Sequence, residues 1–182
     1  MKTLVVYGTR WGGTVDVAER IAGSFRAAGW LADSVDARDN LASIADYDLV
    51  VVGSGIRADE WTKETLAFLA KNSETLREKK TALFVSCSMA ERTECDAKQN
   101  ARETYLQRVA DRFGLKPVSL GFFGGYMNMK QSHGFLADFI VRINGRSLRR
   151  HGLDTAGITD KRDWAAIDAW TKGLINAVPD LC

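Results

Sequence analysis

A short stretch near the start of the chain combines hydroxyl and glycine residues in an order that suits anion binding. It runs from Thr9 to Thr14, with the sequence Thr-Arg-Trp-Gly-Gly-Thr, between the apolar run Leu4–Tyr7 and an amphipathic segment. Backbone N–H groups at a helix N-terminus lack partners and carry partial positive charge. Gly12 and Gly13 let the backbone approach an anion, and the threonine hydroxyls can donate to it. The pattern predicts a phosphate site, with a tight turn without ligand as the alternative.

The same loop departs from two common nucleotide-binding patterns. No Gly-Lys-Ser/Thr ends it, as in a Walker A loop, and three glycines at dinucleotide-binding spacing are missing. Its form, Thr-x-Trp-Gly-x-Thr, resembles the phosphate loop of flavodoxins, usually Ser/Thr-x-Thr-Gly-x-Thr, which holds the monophosphate of flavin mononucleotide (FMN). Trp11 stands where that pattern has a hydroxyl residue, so one side-chain donor is lost while the backbone amide stays.

Two further polar loops follow apolar runs. Leu49–Val52 is continuously apolar, as in a strand buried on both faces, and it leads into the glycine-bearing loop Gly53–Arg57. Ala82–Val85 leads in the same way into the polar loop Ser86–Ala90. In open parallel sheets, ligands bind outside the carboxyl ends of the strands. We therefore expect these two loops and the first one to meet at one edge of a sheet.

The spacing of apolar residues predicts the elements that position these loops. We expect helices over 14–28, from about Thr62, over 98–113 and after Asp160, which can cap the last helix. The buried stripe of that last helix comprises Trp164, Ile167, Trp170 and Leu174. Trp30–Val35 and Pro117–Leu120 indicate two more strands, the first near an edge.

Strands that alternate with helices predict an α/β three-layer sandwich around a parallel sheet. Five such units favour the flavodoxin-like order 2-1-3-4-5. The length of 182 residues suits one domain over 1–182, with an insertion after the fifth strand at about 127–158. Within that insertion, apolar residues recur at helical spacing and basic residues outnumber acidic ones: Lys130, Arg142, Arg146, Arg149 and Arg150.

Composition excludes several classes of protein. A hydrophobic content of 46% and a charged content of 26% are ordinary for a globular protein, and a net charge of +2 gives no argument for nucleic acid as a partner. No apolar run approaches the roughly 20 residues that span a bilayer. The chain enters a strand almost at once, so we expect no signal peptide and a cytoplasmic location. Three cysteines and two histidines without ligand spacing make a poor metal set.

The chain as a whole resembles the menaquinone-dependent protoporphyrinogen dehydrogenases, which are flavodoxin-like FMN proteins of haem biosynthesis. The first loop matches that family's Ser/Thr-Thr-Arg-x-Gly-x-Thr, and Ile56-Arg57 matches its Ile-Arg pair after the third strand. The insertion falls where the family has its long loop, and the segment from Thr159 to Trp164 matches the start of its last helix. The resemblance implies an enzyme that removes hydrogens from a porphyrinogen and passes electrons to a quinone.

The resemblance also implies which residues would hold FMN. The phosphate would lie on Thr9, Arg10, Trp11, Gly12, Gly13 and Thr14. The ring would be lined by Ser54, Gly55, Ile56, Arg57, Ser86, Cys87, Ser88, Met89 and Ala90. Trp61 is the first candidate to stack on the ring, and Trp11 is another, although each could equally be a partly exposed loop aromatic. Arg57 would place positive charge near the reduced flavin or be part of a surface ion pair.

Two other functions stay open. An electron carrier of the flavodoxin type would dock a redox partner protein near the ring edge, and a domain without cofactor would act as an interaction module. The basic insertion would suit a substrate with propionate groups or peripheral contact with an anionic membrane surface, where quinone resides. A solvated surface helix is the alternative for that segment.

Overall fold

A computed structural model describes residues 1–39, 41, 43–87, 95–128 and 158–178. The strands are β1 (Lys2–Gly8), β2 (Leu31–Asp36), β3 (Leu49–Arg57), β4 (Glu60–Trp61), β5 (Lys80–Ser86), β6 (Ser119–Phe123), β7 (Tyr126–Asn128) and β8 (Ile158–Asp160). The helices are α1 (Gly13–Ala27), α2 (Lys63–Lys71), α3 (Ser73–Glu78), α4 (Cys95–Arg102), α5 (Arg108–Phe113) and α6 (Trp164–Ala177). A π-helical turn, Glu103–Gln107, joins α4 to α5.

The central sheet has the order β2-β1-β3-β5-β6, and all of these strands are parallel. Strand β4 is a two-residue strand that pairs antiparallel with the end of β3. Without it, the order is 2-1-3-4-5, which confirms the predicted flavodoxin-like α/β sandwich, with β2 at the predicted edge. A separate antiparallel ribbon, β7–β8, flanks residues 129–157 of the predicted insertion, which lie outside the described residues.

Successive side chains of each strand point to opposite faces of the sheet, where they belong to two hydrophobic cores. On one face, Leu4, Val50 and Leu83 belong to a cluster completed by residues of α2, α3, the π-helical turn and α5. On the other face, Val51 and Phe84 pack with residues of α1 and α6. Burial of each such side chain contributes about 1.5–3 kcal/mol, so both helix layers are needed to keep the sheet out of water.

The first helix begins and ends close to the predicted bounds because glycines define both ends. Gly12 has φ +83° at its N-cap, and Gly29, with φ +84°, follows its C-cap. Both conformations are left-handed, which strains residues that have a Cβ. Val17, Ile21 and Phe25 make the buried face.

Three predicted elements differ in the structure. Gly53–Arg57 was expected as a loop, but it continues β3, which turns at Ala58 and Asp59 into β4. The helix expected over 98–113 begins at Cys95 and contains the π-helical turn. Asp160 does not cap the last helix, because it lies on β8. Asp163 caps α6 instead, accepting from the Ala166 N–H at 2.9 Å.

The predicted buried stripe of α6 is confirmed at two of its four positions. Ile167 and Leu174 are fully buried, while Trp164 and Trp170 are half-buried against the same core. Within the described ranges, no helix combines the length and the hydropathy needed to cross a membrane.

Candidate functional site

The loop between β1 and α1 has the backbone geometry expected of an anion site. Gly12, at φ +83° and ψ −22°, ends the loop, and its carbonyl oxygen accepts from the Val15 N–H at 3.1 Å as α1 begins. Thr14 lies in the first turn of the helix and is 3% exposed. The positive end of the α1 dipole therefore points at the loop.

Thr9 carries a polar atom with no partner among the described residues. Its Oγ1 is buried and makes no hydrogen bond to any residue that the structure describes. A buried hydroxyl without a partner costs about 1–3 kcal/mol, so such an atom calls for a missing ligand or water. The position at the carboxyl end of β1, beside a helix N-terminus, fits a phosphate oxygen. Beside it, Arg10 is exposed and Trp11 is half-buried.

Sheet register brings the predicted loops together. Gly8 pairs with Ser54, and Gly55 pairs with Ser86, so the ends of β1, β3 and β5 lie side by side. A Cβ on Gly55 would lie 3.0 Å from Thr14 Oγ1, which shows how closely the second loop approaches the first. The predicted convergence of the three segments is therefore present in the fold.

The hydroxyl of Ser54 stabilises the second predicted segment, Gly53–Arg57, through two hydrogen bonds. Its Oγ donates to the Gly55 carbonyl oxygen at 2.9 Å and accepts from the Thr62 N–H at 2.9 Å. These bonds join the end of β3 to the N-cap of α2, and a Cβ on Gly8 would collide with Thr62 and Thr65 behind it. Ile56 follows, half-buried, and pairs with Trp61 across the hairpin.

The third predicted segment, which begins at Ser86, is also held by hydrogen bonds to backbone carbonyl oxygens. Ser86 Oγ donates to the Gly124 carbonyl oxygen at 2.9 Å, and the Cys87 N–H donates to the Phe123 carbonyl oxygen at 3.0 Å. Cys87 is itself buried. Ser88, Met89 and Ala90 lie outside the described residues, as does the side chain of Arg57, so their expected contacts with a flavin ring stay predictions.

Trp61 is a core residue, and its predicted stacking on the ring is not supported. Its side chain is 4% exposed and belongs to the cluster between the sheet and α2. The indole N–H donates to the Tyr105 carbonyl oxygen at 2.6 Å. A flavin ring needs an open aromatic face, and a side chain so enclosed does not offer one. Of the two tryptophans predicted to stack on the ring, Trp11 remains a candidate.

Tyr105 also holds the turn of the β3–β4 hairpin. Its hydroxyl donates to the Asp59 carboxylate through a short hydrogen bond. Ala58 and Asp59 both have positive φ, +51° and +61°. The π-helical turn thus fixes a backbone turn that non-glycine residues adopt only with strain. Sequence reasoning missed this contact, because Tyr105 and Asp59 are 46 residues apart.

Two further residues beside the first loop were also missed. Tyr126 of β7 occupies the space that a Cβ on Gly13 would need. The guanidinium of Arg162 lies over the Tyr126 ring, 4.7 Å from its centroid, and donates to the Gly13 carbonyl oxygen at 3.0 Å. The glycine pair at 12 and 13 was the sequence signal for this contact. The absence of a side chain at Gly13 lets Tyr126 pack against the loop, in addition to letting a ligand approach it.

The charges around Arg162 are strongly paired. Its hydrogen bonds to Asp160 and Asp16 raise its pKa above the usual value, although burial acts in the opposite direction. Hydrogen bonds from Arg162 hold the pKa of the Asp160 carboxyl below its usual range. Arg162 and Asp160 are therefore both charged at neutral pH.

A doubly wound parallel sheet whose first strand leads through a glycine-bearing loop into a helix defines an α/β protein of the flavodoxin-like class. The chain belongs to the flavodoxin domain family, whose model matches residues 4–146. No curated protein matches it.

Solved structures show the same fold at low identity. A short-chain flavodoxin associated with a PDU bacterial microcompartment is 11% identical, with a TM-score of 0.57 and 98% and 99% of the two chains covered. A flavodoxin from the domain Archaea is 17% identical, with a TM-score of 0.50 and 86% and 96% covered. The flavodiiron protein from Giardia intestinalis is 12% identical, with a TM-score of 0.54, and the match covers 97% of this chain and 37% of that one.

Proposed function

We propose that this protein binds FMN and acts in redox chemistry. The single observation that carries the proposal is Thr9 Oγ1, a buried hydroxyl without a partner among the described residues, at the loop that opens α1. Family membership supports the same cofactor. The phosphate would accept from the Thr9 and Thr14 hydroxyls and from backbone N–H groups of residues 10–14. Each bond to a charged group contributes about 1.5–3 kcal/mol.

The ring would be met by backbone rather than by hydroxyl groups of the second and third segments. Ser54 and Ser86 already donate to carbonyl oxygens, and the Gly55 carbonyl oxygen and the Cys87 N–H already have partners. The other peptide groups of Gly55, Ile56 and Cys87 would orient the isoalloxazine. Bound FMN supplies reversible transfer of one or two electrons, and the protein sets its orientation and potential. Trp11 would cover one side of the ring.

For the reaction, we favour oxidation of a porphyrinogen with a quinone as acceptor. The motifs in the first loop, at Ile56-Arg57 and before α6 support this reading, as does the position of the insertion between β7 and β8. The basic residues of the insertion would attract the propionates of such a substrate, or the anionic surface of a membrane that contains quinone. This assignment goes beyond the family match, which identifies a flavodoxin domain and names no substrate.

An electron carrier is the second candidate, and a feature of the β3–β4 hairpin favours it. Ala58, Asp59 and Glu60 are all exposed at the carboxyl edge of the sheet. Two carboxylates on an exposed turn beside the ring would suit a basic redox partner protein. A stable semiquinone during reductive titration would support the carrier, whereas turnover of a porphyrinogen with quinone under anaerobic conditions would support the enzyme.

The cofactor is tested by Thr9→Val, with Thr3→Val as a matched control. Thr3 Oγ1 is also buried without a described partner, but it lies at the other end of β1. We expect Thr9→Val to raise the Kd for FMN at least tenfold, because one charge-assisted hydrogen bond is lost. Thr3→Val should leave it unchanged. The readout is the flavin spectrum retained after gel filtration, followed by titration. A folded wild-type protein that stays colourless with FMN would overturn the proposal.

A further inference from the structure

A buried arginine connects the phosphate loop to the β7–β8 ribbon. The Arg162 side chain is 5% exposed. Its Nη1 donates to the Gly13 carbonyl oxygen at 3.0 Å and to the Asp16 carboxylate at 2.8 Å. Gly13 is the first residue of α1, and Asp16 lies in the same turn. The arginine therefore contacts the turn whose N–H groups would receive the FMN phosphate.

The remaining faces of the guanidinium are fixed to the ribbon and to α6. Its Nε and Nη2 donate to the two carboxylate oxygens of Asp160 on β8, at 2.8 and 2.6 Å. The rings of Tyr126 and Trp164 lie 4.7 and 4.6 Å from its Cζ. A planar guanidinium makes bidentate and stacking contacts at once, whereas a lysine ammonium cannot.

Asp16 gives the arginine an electrostatic role as well. A carboxylate in the first turn stabilises α1, but it also repels a second anion brought to the same helix end. The ion pair with Arg162 offsets that repulsion. Arg162 lies beyond residue 146, so this support comes from outside the part of the chain that the family model matches.

We propose that Arg162 is a positioning residue for the phosphate loop. It fixes the first turn of α1 against β7 and β8 and offsets the charge of Asp16, so that the loop is preorganised for a phosphate monoester. The proposal rests on the proposed FMN site, and it predicts that Arg162 affects the phosphate and not the ring.

The test compares FMN with riboflavin, which has the ring but no phosphate. Arg162→Lys should raise the Kd for FMN about tenfold and leave that for riboflavin within about twofold. Adding Asp16→Asn to Arg162→Lys should recover part of the affinity for FMN. The control is Arg20→Lys, because Arg20 also joins α1 to α6, through Asp168 at 2.7 and 2.6 Å, but on the exposed surface. It should change neither Kd.

Equal weakening of both flavins by Arg162→Lys, or no weakening, would overturn the proposal. Amide hydrogen exchange of the ligand-free protein tests the positioning role of Arg162 without FMN. We expect faster exchange at residues 15–18, the first amides of α1 with intrahelical hydrogen bonds, in Arg162→Lys and not in Arg20→Lys. Unchanged exchange would remove the positioning role. A wild-type protein that binds FMN no more tightly than riboflavin would instead refute the phosphate assignment of the proposed function.

Discussion

At the scale of single residues, the hydroxyl groups near the candidate site differ in whether they have a backbone partner. Ser54 and Ser86 donate to backbone carbonyl oxygens and hold their segments in place. Thr9 Oγ1 has no such partner in the described part of the chain. The sequence shows all three as polar residues after apolar strands, but it does not show which carbonyl each hydroxyl reaches. The role of a hydroxyl therefore follows only from the folded backbone.

Trp61 illustrates the same limit and leads to a prediction about stability. Trp61→Phe keeps an aromatic ring but leaves the buried Tyr105 carbonyl oxygen without its indole donor. We expect the free energy of unfolding of the ligand-free protein to fall by about 1–3 kcal/mol. Urea unfolding measures this change. The Kd for FMN should stay within about twofold, since the indole is enclosed in the core. A loss of FMN affinity with unchanged stability would restore the stacking role.

At the scale of elements, sequence patterns predicted the parallel strands well and the irregular features poorly. Leu49–Val52 was recognised because β-branched residues in a continuous run suit a strand covered on both faces. The strand continues through Gly53–Arg57, whose glycine and serine content is typical of a loop. Pairing with β1 and β5 extends it to Gly55, and pairing with β4 extends it through Ile56 and Arg57. The hairpin depends on Tyr105, a residue distant in sequence, so local composition could not reveal it.

The turn of that hairpin provides a test of strain. Ala58→Gly should raise the free energy of unfolding by about 0.5–1 kcal/mol, because relief of a positive φ exceeds the entropy that glycine adds to the unfolded chain. Asp59→Gly relieves a similar φ but loses the hydrogen bond from Tyr105, so it should not stabilise. Urea unfolding of both variants gives the comparison. Destabilisation by Ala58→Gly would show that the turn is not strained.

At the scale of the whole molecule, the candidate site and a set of stabilising polar contacts lie at opposite ends of the parallel strands. The carboxyl ends of β1, β3 and β5 carry the candidate site, while the amino ends of β1 and β3 carry contacts around Tyr47 and Lys2. Lys79 Nζ donates to the Tyr47 carbonyl oxygen at 2.8 Å, and the Tyr47 hydroxyl donates to Asp33 at 2.8 Å. The order of the sheet was predictable, because alternation of strands and helices leaves few topologies. The long-range polar contacts of Tyr47 were not predictable from the sequence.

Tyr47 makes the alkaline stability of the fold predictable. Burial, with the hydrogen bond to Asp33 and the charge of Asp33, raises its pKa to about 12 from the ordinary 10.0. The unfolded chain therefore ionises this phenol first, and the stability that Tyr47 contributes is fully present below pH 10 and is lost as the pH rises toward 12. Urea unfolding at pH 8 and near pH 11.5 measures the loss.

Tyr47→Phe removes the ionising group, so its stability should fall less than that of the wild type over the same pH interval. Leu76→Ala is the matched control, because it weakens the same core cluster without a titrating group, and its penalty should not depend on pH in that interval. If the wild type and Tyr47→Phe lose stability in parallel, alkaline unfolding begins elsewhere in the molecule. Since Tyr47 lies at the amino ends of the strands, the FMN affinity of Tyr47→Phe at pH 8 should equal that of the wild type.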